Sequence, residues 1–123
     1  MLVLSHADVD ALIADIPPNE LSQLMADVFR RFSEHSGIQM PPRSSVQTNT
    51  HTTLFMPSRV DPHGTAVKVV SVPTRGGPSG LPATTLVMDE VSGGVKAVVN
   101  SRNLTAIRTA AGMPFSPVWG LVA

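Results

Sequence analysis

The chain of 123 residues contains no cysteine. That absence removes a disulfide framework, a thiolate nucleophile and a cysteine-ligated zinc site together. It says little about compartment, beyond not requiring an oxidising one. Net charge is lacking as well, since nine basic residues balance nine acidic ones. With no basic stripe, nothing favours a nucleic-acid partner, and there is no acidic tail. No apolar run approaches the roughly 20 residues that cross a bilayer. Met1-Leu2-Val3-Leu4 is too short for a secretory leader and lacks its basic flank. These absences predict a cytoplasmic protein with neither nucleic acid nor membrane as a partner. Internal repeats and long linkers are missing too, which fits one small domain or part of a larger one.

What is present is a globular composition, 42% apolar, enough for a modest core at this length. Residues 2–4 read as a short strand. Ser5 and Asp8 have the spacing of a capping box, with Asp in place of Glu. Val9, Leu12, Ile13 and Ile16 then share one helical face. Pro17-Pro18 ends that helix and opens the next. Leu21, Leu24, Met25, Val28, Phe29 and Phe32 recur at spacings of three and four, the strongest periodic signal in the chain. They read as core rather than as a cofactor box. Gly37 suits the helix stop.

After Met40 the period falls to two and β-branched residues take over. Strands are expected over residues 43–48, 52–56, 66–72, 84–89 and 95–100. Asn49-Thr50 can turn the first pair, residues 57–64 and 73–82 read as loops, and Gly93-Gly94 closes the last hairpin. The near-continuous apolar run over residues 66–72 predicts a strand covered on both faces. Ser101 can cap a last helix running to about residue 111, where Gly112 and Pro114 stop it. The expected fold is α/β, or α+β by a stricter label. It has two N-terminal helices packed on a mixed, largely antiparallel sheet of about six strands, then a short C-terminal helix.

Three cations fall where a bare charge is costly unless something pairs with it. Lys68 interrupts an apolar strand and shares a face with Ala66, Val70 and Val72. It can pair with an anion, or lay its stem on apolar surface at a sheet edge with the amine in water. Arg43 follows Pro41-Pro42, whose rings fix the backbone leading to it. It can grip a carboxylate with two parallel bonds, or be a solvated loop arginine. Arg108 stands beside the apolar stripe of the last helix, and can face a ligand or the final helix carbonyls. Three such cations converging on one cavity would suit a small carboxylate.

The four histidines, His6, His35, His51 and His63, lack metal-ligand spacing, so no metal is expected. His51 could carry protons or simply lie at the surface. Gly76-Gly77-Pro78-Ser79-Gly80 is followed by a strand, whereas a dinucleotide fingerprint leads into a helix.

Several segments, in this order, resemble one family. They are Met40-Pro41-Pro42-Arg43, Phe55-Met56-Pro57, Val67-Lys68-Val69-Val70, Gly80-Leu81-Pro82 and Leu104-Thr105-Ala106-Ile107-Arg108-Thr109-Ala110-Ala111. Together they look like the N-terminal part of the ornithine cyclodeaminase/mu-crystallin family, over residues 1 to about 112. The last segment is the most specific. The resemblance implies a partial substrate-binding and dimerisation domain over residues 1–112, a divergent tail over 113–123, and no dinucleotide-binding domain. It implies that Arg43, Lys68 and Arg108 hold a substrate carboxylate, that Met56 lines the pocket, and that Lys68 assists proton transfer. The family's chemistry is NAD(P)-dependent cyclodeamination or imine reduction on small amino or cyclic imino acids. By that likeness, this chain alone binds no NAD(P) and is inactive, and it forms a homodimer or pairs with a full-length homologue. The alternative is a non-catalytic module for a small carboxylate or for dimer contacts. Two departures stand out. Pro82-Ala83 replaces the polar pair that cyclodeaminases proper tend to place after Gly-Leu, and Met113-Pro114-Phe115 follows Gly112, where the family helix continues.

Overall fold

The computed structural model describes residues 1–76 and 81–104. Strand β1 (Leu2–Leu4) leads into helix α1 (His6–Ala14) and helix α2 (Pro18–Glu34). Strands β2 (Ile38–Gln39), β3 (Ser44–Gln47), β4 (His51–Val60), β5 (Gly64–Pro73), β6 (Ala83–Met88) and β7 (Val95–Asn100) follow. They form a seven-stranded sheet in the order β1-β7-β6-β5-β4-β2, with β3 also paired to β4. The β1–β7 pair is parallel and the others are antiparallel. This is the expected α/β architecture, two helices on a mixed sheet, with one strand more than the sequence foresaw. The expected C-terminal helix beyond Leu104 and the tail over 113–123 lie outside the described residues.

Local chemistry explains the helix ends. The Ser5 hydroxyl accepts from the Asp8 amide at 3.2 Å, and the Asp8 carboxylate accepts from the Ser5 amide at 2.8 Å. The capping box read from sequence therefore forms. The backbone and hydroxyl donors of Ser5 hold the Asp8 carboxyl below the usual carboxylate range. α2 stops two residues earlier than a cap at Gly37 would place it. His35 takes the left-handed cap at φ 53°, and Gly37, at φ 66°, bends the chain into β2.

The loop expected over residues 57–64 is mostly strand. β4 pairs with β5 along its whole length, from His51 opposite Pro73 to Val60 opposite Gly64. Pro57 is tolerated because the outer side of β4 has a gap there. β3 pairs with residues 52–55 and β2 with residues 59–60, so the missing amide of Pro57 costs no bond on that side. What turns the chain is Asp61-Pro62-His63, with a cis bond before Pro62. The β6–β7 hairpin closes as expected. The Asp89 carboxylate accepts from the amides of Val91 and Ser92, and Gly93 takes φ 75°.

Register decides which side chains share a face. One face carries Met56, Lys68, Val70, Ala83, Thr85 and Ala97. Val70, Ala83 and Ala97 are buried, as are Val9 of α1 and Met25 of α2. The helices therefore cover this face, with α1 against β1 and β7. The opposite face carries Val3, Val46, Phe55, Val67, Val69 and Leu86. None of these is buried, and Val3 and Val46 are 69% and 56% exposed. Among the described residues, then, β5 is covered on one face only, not on both. Its apolar run is continuous because the second face is apolar as well.

Candidate functional site

The helix-covered face holds one transverse row that includes two of the expected site residues, Met56 and Lys68. Met56 stands opposite Lys68, Lys68 opposite Thr85, and Thr85 opposite Val99. Directly opposed residues have Cβ atoms about 4.5–5.5 Å apart. Met56, Lys68 and Thr85 are each half-buried. β5 lies between β4 and β6, so Lys68 is not at a sheet edge. Arg43 is exposed, one residue before the first paired position of β3. Continuing the β3–β4 register by that residue sets Arg43 level with Met56, at the end of the same row. Met56 and Lys68 are thus brought together on β4 and β5, while Arg43 precedes β3. Arg108 and Gly80 lie outside the described residues.

The row is finished by a pair that sequence reasoning missed. The Thr85 hydroxyl donates to Ser101 Oγ at 3.0 Å. Ser101 is 1% exposed, the most buried polar residue described. Its amide donates to the Ala83 carbonyl, and its own carbonyl accepts from the Leu104 amide. Ser101 was foreseen as a helix cap, not as a partner of β6. The available signal was Thr85 itself, a hydroxyl between Ala83 and Val87 on the face those residues bury.

Other polar clusters lie away from this row. An open groove of about 430 Å³ at the far end of β4 and β5 is lined by Asn49, Thr50, His51, Pro73, Thr74 and Arg75. None of Arg43, Met56 or Lys68 lines it. His51 Nδ1 lies 2.9 Å from Thr50 Oγ1. At the opposite end, Arg59 and Thr65 donate to Glu90 at 3.3 and 3.1 Å, and Arg31 donates to the Asp61 carbonyl. The hydrogen bonds from Arg59 and then Thr65 hold Glu90 below its usual range. Arg30 and Arg31 do the same for Asp27, the bond from Arg30 being the largest cause. These contacts fasten α2 and two turns to the sheet end. Among the described residues, no cluster of His, Asp or Glu could hold a metal ion.

No helix among the described residues is long and apolar enough to cross a membrane. A model of the ornithine cyclodeaminase/mu-crystallin family matches residues 2–116, and the chain belongs to that family. No curated protein matches it. Among solved structures, it is similar to a Δ1-pyrroline-2-carboxylate reductase of Thermococcus litoralis in complex with NADH and L-proline. The identity is 29% and the TM-score 0.76, over 92% of this chain and 36% of that one. It shares its fold with an archaeal alanine dehydrogenase dimer with bound NAD, at 23% identity and TM-score 0.75, over 90% of this chain and 34% of that one. The same holds for a lysine cyclodeaminase that recognises L-lysine, L-ornithine and L-2,4-diaminobutyric acid, at 22% identity and TM-score 0.70, over 90% and 36%. The chain spans about a third of the length of these structures.

The described residues do not fit a dinucleotide. A pyrophosphate needs free amides at a helix N-terminus. Asp8 already occupies that end of α1 with a negative charge. α2 begins at Pro18, has no side-chain cap and carries Glu20 in its first turn.

Proposed function

We propose that this chain is the substrate-binding part of an NAD(P)-dependent oxidoreductase of the ornithine cyclodeaminase and ketimine reductase kind, acting on small amino or imino acids. The observation that carries this reading is the pairing of Met56 with Lys68 on the helix-covered face, with Arg43 one residue before β3. Lys68 supplies an ammonium in half-buried surroundings, where its attraction for a carboxylate is screened less than at the surface. Arg43 approaches from the end of the row and can form two parallel bonds to the same carboxylate. Arg108 is the third cation by sequence. Met56 packs the ligand's apolar side, and the Lys68 ammonium holds a proton beside the reacting carbon.

The likeness to the reductase holding L-proline supports a small imino or amino acid as ligand. NAD(P), when bound by the full-length protein, supplies hydride transfer. The residues described here contribute grip and orientation. The chain alone is inactive in this reading, which assigns NAD(P) binding to a further domain of the kind its relatives carry. Its compartment is the cytoplasm, and the domain runs over residues 1–112 with a divergent tail beyond.

The open apolar face favours a companion role. A second copy, or a longer homologue, covers Val67, Val69 and Phe55 by stacking sheet on sheet. A pure carboxylate-binding or dimer-contact module uses the same two surfaces without turnover. Calorimetric titration of the chain with L-proline tests the site. Binding that Lys68→Ala and Arg43→Ala each abolish is the expected result. Unchanged binding in both variants would remove the carboxylate site.

A further inference from the structure

We propose that Thr85 is the residue that recognises the ligand's nitrogen, and so makes the site select amino and imino acids over oxygen analogues. The inference rests on Lys68 holding the carboxylate. Its ground is the state of the Thr85 hydroxyl. A free hydroxyl rotates, donating or accepting as its partner demands. This one has committed its proton, donating at 3.0 Å to Ser101 Oγ. Ser101 is 1% exposed, so water does not compete for that bond.

What Thr85 Oγ1 keeps for other partners is lone pairs only. It presents them in the row directly beside Lys68. The two neighbours are complementary in kind, a cation for a carboxylate and an acceptor for an N–H. An α-amino acid, or a cyclic α-imino acid in its protonated iminium form, carries both groups on one carbon. An ether or keto oxygen in place of the nitrogen would meet the Thr85 lone pairs with its own. That mismatch leaves a polar pair unbonded, the strongest form of rejection a small site has.

The test is titration of the 123-residue chain with L-proline and with (S)-tetrahydrofuran-2-carboxylate, which has the same ring and carboxylate but no N–H. The native chain should bind proline at least about tenfold more tightly, the range of one hydrogen bond to a charged donor. Thr85→Val keeps the shape and loses the acceptor, and should bring the two ligands within about twofold. Thr85→Ser should restore the preference. If Thr85→Val does not fold, Ser101→Ala decides, because it frees the Thr85 proton to donate and should shrink the preference. Equal affinities in the native chain, or a preference unmoved in folded Thr85→Val, overturn the inference while the carboxylate site stands. Binding of neither ligand overturns the carboxylate site and the inference with it.

Discussion

The two faces of the sheet are woven from the same strands, and neighbouring residues such as Val69 and Val70 belong to opposite sides. Val70 lies on the face the helices cover and is buried. Val69 faces the other way and is half-buried. The covered face mixes apolar residues with Lys68, Thr85 and the Thr85–Ser101 bond. The opposite face carries Phe55, Val67, Val69 and Leu86 together with polar residues such as Thr84, Asn100 and the Thr53 and Ser71 hydroxyls, 3.0 Å apart. Among the described residues, the helices thus lie on the face that holds Lys68 and Thr85, and the other face carries Phe55, Val67, Val69 and Leu86. A polar group needs a sheltered, fully partnered setting to act selectively, whereas an apolar face needs only a complementary surface.

The sharpest way to break that contrast is to place the same charge on each side of β5. Val70→Asp puts an unpaired carboxylate under the helices and should cost about 3 kcal/mol or more. Val69→Asp should leave the stability of the monomer nearly unchanged and abolish self-association instead. Urea denaturation with sedimentation velocity reads both. Equal destabilisation by the two changes would mean that both faces are covered.

Ligand binding separates the faces next. Lys68→Ala should weaken L-proline binding at least about tenfold, while Val69→Asp should leave it unaltered, both read by calorimetry. A smaller effect probes how α1 is set over β1 and β7. Ser5→Ala removes the cap and should lower stability by about 1 kcal/mol, visible in the urea midpoint.

The smallest effect is that of pH. Asp8, Asp27, Asp89 and Glu90 are all held below their ordinary range by hydrogen bonds. A depressed carboxylate contributes stability above its unfolded value, near pH 4, and loses it as pH falls through the folded value. The urea midpoint should therefore be flat in these groups from pH 6 to about 5 and fall below about 4. Asp8 and Glu90 are exposed and Asp27 and Asp89 only half-buried, so salt should blunt the fall.

Much of this was legible in the residues. Ser5 and Asp8 announced α1 because a capping box is a local structure whose donors and acceptors lie three residues apart. The spacing of Leu21, Met25 and Phe29 announced α2, and the alternation in residues 66–72 announced β5. Lys68 stood out because a cation interrupted an apolar run. Three local features misled. Pro57 looked like a strand end, yet β4 continues through it in a gap between two outer partners. Gly37 looked like the helix stop, yet His35 took the cap. Ile38–Gln39 was too short to carry a periodic signal, and only pairing with Val60 and Arg59 makes it a strand.

By itself the sequence determined the local elements, the family resemblance and the candidate cations, because caps, periods and motifs are written within a few residues. Only the tertiary structure decided that Met56 and Lys68 fall in one row, that Thr85 donates to a buried Ser101 sixteen residues away, and that the helices cover one side of β5 among the described residues. Those facts depend on strand register. A slip of one residue would turn each of these side chains to the other face without changing a letter of the sequence.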